Sequence, residues 1–177
     1  MEWRLDADHA DEQFLLELLN TTPTIDGNAV DELATADAGR DWLSARGRDG
    51  AAREWRAVRA ARNDLQSVVR GDTTPAKLSA WLEGLTWQPQ FDGDDVRWAV
   101  QAPAGRTAAT AAVLAWSALL TSNPGRLRPC ANPECRLFLI DHSKPNRARW
   151  CSMAVCGNRM KARRHYNRVR QSSTHDA

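Results

Sequence analysis

The chain has four cysteines, all within 27 of its 177 residues: Cys130, Cys135, Cys151 and Cys156. They read as C-x4-C, fifteen intervening residues, then C-x4-C. Two close pairs separated by a dozen or more residues can converge on one ion, and zinc prefers tetrahedral thiolate coordination. No other feature ties the chain at four points, so the fold must bring these two knuckles together.

The competing readings of the cysteines are weaker. The opening segment MEWRLDADHADEQF has neither a basic start nor an apolar stretch, so it does not read as a signal peptide. No run of about 18 or more apolar residues exists to span a membrane. A cytoplasmic location is therefore expected, where thiols stay reduced and structural disulfides do not persist. Four unrelated buried thiols would not be expected to cluster as two symmetric pairs. An iron–sulfur cluster stays open as an alternative, although typical cluster runs are more tightly spaced. The expectation is one structural zinc ion on the four cysteines. His142 and His165 are reserve ligands, each expected to be an ordinary surface histidine.

Charge divides the chain. Residues 126–170 hold twelve Lys or Arg against Glu134 and Asp141, a net of +10. Residues 1–125 hold twelve Lys or Arg against nineteen acids, a net of −7. Such a reversal is the pattern of a nucleic-acid-binding module attached to an acidic domain. A domain boundary is expected at Asn123-Pro124-Gly125, separating residues 1–125 from 126–177.

The fold class expected is mainly α. Helical spacing marks a segment around Phe14, Leu15, Leu18 and Leu19, a second short helix that begins with Val30, Leu33 and Ala34, and a third around Trp42 and Leu43. Further helices are expected from Ala51 to Val69, closed by Gly71, from Pro75 onwards, and from Arg106 to Leu120. One β-hairpin is expected, with runs Thr86–Phe91 and Val96–Gln101 joined across Asp92-Gly93-Asp94-Asp95. Trp87, Phe91, Val96, Trp98 and Val100 would form its buried face. Most of the eight tryptophans are expected to fill the core.

After the boundary, Cys130 to Cys135 reads as a tight knuckle with Asn132-Pro133 as turn residues, and Leu137–Ile140 as a strand. His142 to Arg147 would turn the chain, Ala148 to Trp150 would return it, and Ser152 would cap a helix running to about Arg170. Knuckle, hairpin and ligand-bearing helix make a treble-clef-like unit. So short a segment has little core of its own, so the metal would supply most of its stability. Its helix is strongly basic. Lys161, Arg164 and Arg168 fall on one face, Arg159, Arg163 and Arg170 on an adjacent one, and Lys144, Arg147 and Arg149 add charge from the hairpin. Such a surface suits phosphates, because neutralising them releases counterions. The nucleic-acid contacts expected are Lys144, Arg147, Arg149, Arg159, Lys161, Arg163, Arg164 and Arg168. Ala162, Tyr166 and Val169 form a small apolar stripe, expected to pack against the hairpin or the N-terminal domain.

The runs Arg128-Pro-Cys-Ala-Asn-Pro-Glu-Cys135, Trp150-Cys-Ser-Met-Ala-Val-Cys-Gly-Asn-Arg159 and Lys161-Ala-Arg-Arg resemble the CGNR zinc-finger proteins. Phe14-Leu-Leu-Glu-Leu-Leu-Asn-Thr21 and Asp41-Trp42-Leu43 resemble the opening segments of the ABATE domain that precedes the finger in that family. The resemblance implies a bacterial, stress-induced regulator of transcription, with the four cysteines as zinc ligands. In its finger, Gly157 would permit close helix packing and Asn158 would fix the local backbone.

The first function expected is therefore a DNA-binding regulator whose acidic domain senses a small-molecule effector, forms a homodimer, or both. An RNA- or ribosome-associated protein and a protein-interaction module are the alternatives. A treble-clef nuclease is disfavoured. Glu134 and Asp141 are too few acids for a catalytic metal, four thiolates leave no open position, and no phosphate loop, G-x-S-x-G or H-E-x-x-H is present.

Overall fold

A computed structural model of the chain describes residues 9–173. Helix α1 (His9–Leu19) turns Phe14, Leu15, Leu18 and Leu19 inward, and all four are buried. Helix α2 (Ala36–Ser44) starts at Thr35, whose hydroxyl accepts the Ala38 N–H at 3.2 Å. Helix α3 (Ala52–Arg70) buries Val58, Leu65 and Val68 and ends at Gly71, where φ is 82°. That left-handed turn is why a glycine closes the helix. A 3-10 helix follows from Pro75 to Trp81, and the Ala-rich α4 (Thr107–Ser122) packs against both α1 and α3. The small residues of α4 let three helices approach around one core of Phe14, Leu15, Leu18, Leu65, Val113 and Leu119.

Three expectations need correction. Val30–Ala34 is not a helix. A tight hairpin of strands β1 (Thr24–Ile25) and β2 (Asn28–Ala29) precedes that segment, which itself runs through coil and turns. Side chains divert the backbone: the Asp31 carboxylate accepts the Leu33 N–H at 2.9 Å and binds the Arg62 guanidinium at 2.6 and 3.0 Å. Second, the tryptophans line the core rather than fill it. Trp42, Trp55, Trp81 and Trp116 are half-buried against it, while Trp87 and Trp98 are exposed; Trp3 lies outside the described residues. Third, the hairpin of β3 (Thr86–Asp92) and β4 (Asp95–Gln101) has the expected turn at Gly93, but its apolar face is exposed. Its strands pack on each other rather than on the helices.

The buried core continues past residues 123–125, where the boundary is expected. Strands β5 (Leu127–Pro129) and β6 (Phe138–Ile140) pair antiparallel, and Phe138 is buried in the same core as α1 and α4. Asn20 at the end of α1 clamps Phe138 from both sides, accepting its N–H at 2.7 Å and donating to its carbonyl at 3.2 Å. The Arg70 guanidinium lies over the Phe138 ring at 4.6 Å. The strand pair is thus held by the helices, not by a metal.

Helix α4 receives its N-terminal cap from another helix. Arg106 makes no side-chain cap bond, and the buried Glu54 of α3 accepts the N–H groups of Thr107 and Ala108 at 2.9 and 3.0 Å. A carboxylate at a helix N-terminus satisfies orphan donors and complements the helix dipole. Glu54→Ala should cost about 2 kcal/mol, because two donors lose their partner in a buried place. The readout is the denaturant midpoint at unchanged m-value; an unmoved midpoint would refute the cap.

Candidate metal centre and basic helix

The two cysteine pairs sit at the ends of elements anchored differently. Cys130 follows β5, and its N–H donates to Leu137 O at 2.8 Å, closing the first knuckle. Cys135 N–H donates to Asn132 O at 2.9 Å. Cys151 follows the loop 141–150, and Cys156 lies in a π-helical turn (Met153–Gly157) that Ser152 caps by accepting the Val155 N–H. Helix α5 (Asn158–Ser173) leaves directly from that turn. The expected return strand Ala148–Trp150 does not form: β6 pairs with β5, and the loop touches the knuckle through one backbone bond, Ala131 N–H to Arg149 O at 2.8 Å.

The four Sγ atoms all lie within 4.8 Å of one another. Cys135 to Cys151 is 3.7 Å and Cys151 to Cys156 is 3.6 Å. Tetrahedral zinc with Zn–S bonds of about 2.3 Å sets its sulfurs about 3.8 Å apart. The donor set and its spacing therefore fit one structural zinc ion. Two N–H groups point at the sulfurs, Cys151 N to Cys130 Sγ at 3.4 Å and Asn132 Nδ2 to Cys156 Sγ at 3.5 Å. Such donors favour thiolate over thiol.

Without a cation Cys135 and Cys151 resist losing their protons. Burial pushes the Cys135 thiol up to about 11, and burial with the adjacent Cys156 pushes Cys151 up further. Cys156 goes the other way: burial raises it, but the Asn132 amide and the neighbouring thiols outweigh that. A metal must displace the remaining protons, so its affinity falls as pH falls.

Asn132 is a positioning residue that sequence reading missed beyond its turn propensity. It is fully buried; its Oδ1 accepts the Glu134 N–H at 3.2 Å while its Nδ2 faces Cys156. An amide can serve both ends, and an apolar side chain can serve neither. Asn132→Ala should weaken zinc binding roughly 10–100-fold in a chelator competition titration. An unchanged affinity would remove the role.

The loop 141–149 is organised by one carboxylate. Buried Asp141 accepts the N–H groups of Ser143 and Ala148 at 2.9 and 2.7 Å and pairs with Arg128 at 2.8 Å. Hydrogen bonding from Ser143 leads the causes that hold its pKa at about 2, with Ala148 and Arg128 assisting against burial. The loop so held presents Lys144, Arg147 and Arg149 as exposed side chains, with the Arg149 guanidinium 5.3 Å from the Trp150 ring centre.

Helix α5 carries the other expected contacts. It packs on the π-helical turn and is otherwise exposed from Lys161 to Arg168. Lys161, Arg164, Asn167 and Arg168 line one shallow groove, so the expected face forms and gains Asn167. The adjacent face turns toward acids. Arg163 pairs with Glu134 at 2.9 Å, and Arg159 borders a cleft with Asp26, Glu134 and Arg136. The apolar stripe does not pack as expected: Ala162 is exposed and Tyr166 is 65% exposed, while the Val169 side chain lies outside what is described. The main contact of α5 is with the π-helical turn, and Ala162 and Tyr166 are left exposed among the described residues. His165 is exposed and apart from the cluster, and His142 approaches Glu12 at 3.7 Å instead. Gly157 is buried, and a Cβ there would meet Met153 Sδ at 2.7 Å and Trp150 Cδ1 at 3.3 Å. Asn158 Nδ2 donates back to Ala154 O at 3.3 Å, joining α5 to the turn.

Residues 126–169 match the model of the CGNR zinc finger family. No curated protein matches the chain. No helix among the described residues is long and apolar enough to cross a membrane.

Proposed function

We propose that this protein is a cytoplasmic DNA-binding regulator of transcription in which a structural four-cysteine zinc centre of treble-clef type mounts α5 for insertion into duplex DNA. The observation that carries the reading is the exposed groove of α5, where Lys161, Arg164, Asn167 and Arg168 share a face. Arg and Asn are the side chains that pair bidentately with guanine and adenine edges in the major groove. A helix of 16 residues is about 24 Å long, enough to lie in that groove. Lys144, Arg147 and Arg149 on the Asp141-ordered loop would hold phosphates, which fix register without reading sequence. Arg159 and Arg163, turned toward acids, would contribute less.

The reading includes the N-terminal part as an ABATE-type domain of a bacterial, stress-induced regulator. A small-molecule effector would find its place in the open cleft of about 470 Å³ lined by Phe14, Glu17, Arg46 and Arg48. Binding rather than catalysis is favoured because both acids of the finger are engaged, Glu134 by Arg163 and Asp141 by Arg128 and two backbone N–H groups. Neither carboxylate is left to hold a second, catalytic cation.

Fluorescence anisotropy against duplex DNA over a salt series tests the proposal. Arg164→Ala with Arg168→Ala should weaken binding at least roughly tenfold and relax the preference among sequences, since each lost base contact costs about 1–3 kcal/mol, whereas Lys144→Ala should weaken binding to all sequences alike and flatten the salt slope by about 0.9. Arg163→Ala should change affinity less than about threefold. Equal losses at all three arginines, or tighter binding to structured RNA than to DNA, would overturn the reading.

A further inference from the structure

The β3–β4 hairpin presents a surface that the DNA reading leaves unused. Its register pairs Trp87 with Val100, Pro89 with Trp98, and Phe91 with Val96. Alternation along each strand puts all six on one side of the ribbon, and none is charged. The other side carries Thr86, Gln88, Gln90, Ala99 and Gln101 among its residues. The apolar side faces outward: Phe91 is 82% exposed, Val96 49%, Trp87 44% and Trp98 41%. A two-stranded hairpin in water is marginally stable at best, and an uncharged aromatic face this size on a chain that is 26% charged marks an interaction site.

We propose that this face is a homodimer interface, in which the hairpins of two copies stack face to face about a twofold axis. Area is the first reason. With about 150–250 Å² for a whole aromatic side chain and somewhat less for the valine, the four exposures amount to roughly 400 Å² per copy. Two copies would bury about 800 Å² from these side chains alone, and Pro89, Val100 and the rim bring the contact to the roughly 1,000 Å² that a specific interface needs. Self-complementarity is the second. An apolar, uncharged face matches best another of the same kind, and a twofold contact uses the same patch on both subunits. Stacked sheets sit about 10 Å apart, a gap that aromatic side chains from two ribbons fill. Edge-to-edge pairing through β3 is disfavoured because Pro89 removes a backbone donor from that strand. The inference does not depend on what α5 binds.

Sedimentation equilibrium of the full zinc-loaded chain is the test. The wild type should be a dimer at micromolar concentration. Phe91→Lys should shift it to monomer, raising the dissociation constant more than about 100-fold while zinc stoichiometry and thermal unfolding of the helical core stay unchanged. Tryptophan fluorescence gives a reading that needs no variant. Dilution of the wild type through its dissociation constant should red-shift the emission as Trp87 and Trp98 meet water. A wild type that is monomeric even at roughly 100 times that concentration would overturn the proposal, as would a Phe91→Lys protein that dimerises equally well. A monomer whose tryptophan emission shifts on adding phosphatidylcholine vesicles would assign the face to a lipid surface instead, and also overturn it.

Discussion

Chelating the zinc should melt α5, and with it abolish the DNA binding proposed above, while leaving the helical core folded. The metal-bearing segment is attached in two unequal ways. Upstream, β5 and β6 are fixed by Phe138 in the core and by the two bonds to Asn20. Downstream, α5 packs on the π-helical turn that carries Cys156. Isolated helices of this length are marginal in water, and its Arg and Lys residues repel at i,i+4 spacing. Structural zinc contributes about 10–16 kcal/mol in small finger peptides, and its removal leaves that turn only a few weak ties, such as the exposed Arg163–Glu134 pair at 2.9 Å. The far-UV helical signal should fall by about the share of one 16-residue helix, with the main thermal transition moved by no more than about 3 °C. Two results would refute this: an unchanged helical signal after chelation, or a single cooperative collapse of the whole chain.

The second large effect is expected far from the metal. Arg62 is 2% exposed in α3 and grips Asp31 with both guanidinium nitrogens while also donating to Thr21 Oγ1 at 3.0 Å. Arg59 reaches the same carboxylate at 3.2 Å. These contacts hold the turn-rich segment 21–33 against the helices, which helix formation would otherwise have to do. Burial raises the Asp31 pKa, but Arg62, the Leu33 N–H and Arg59 outweigh it and the net shift is downward. Arg62→Met keeps the volume and removes the charge, leaving a partly buried carboxylate with one weaker partner. The expected cost is about 3 kcal/mol, or roughly 6–12 °C in Tm for a chain of this size. The sign with pH follows from the shift. Asp31 stabilises the wild type above its unfolded-state pKa, and that contribution disappears as pH falls through the lower folded-state value. The gap between wild type and variant should therefore narrow in acid; a gap constant from about pH 7 to about pH 2 would exclude the pair as its source.

What was legible in the sequence was what depends on nearest neighbours along the chain. Cysteine spacing dictates a four-thiolate centre because ligand chemistry is local, and the Sγ atoms do meet. Apolar residues at helical spacing placed α1, α3 and α4, glycine closed α3, and Asp-Gly turned the β3–β4 hairpin, since each follows from a residue's own conformational preference. The face of α5 followed from the same periodicity. Tertiary structure alone decided which faces are covered. The pattern of β3 and β4 says which side chains share a side, but no local rule says whether anything lies against that side, and among the described residues the chain itself leaves it uncovered. The same holds for Val30–Ala34, where a buried arginine 31 residues away claims Asp31 and forbids the helix. It holds too for Phe138 and Asn132, one drawn into a core built by helices far earlier in the chain, the other aimed at a sulfur across the knuckle. Burial and long-range hydrogen bonds are properties of the assembled chain, and no local preference encodes them.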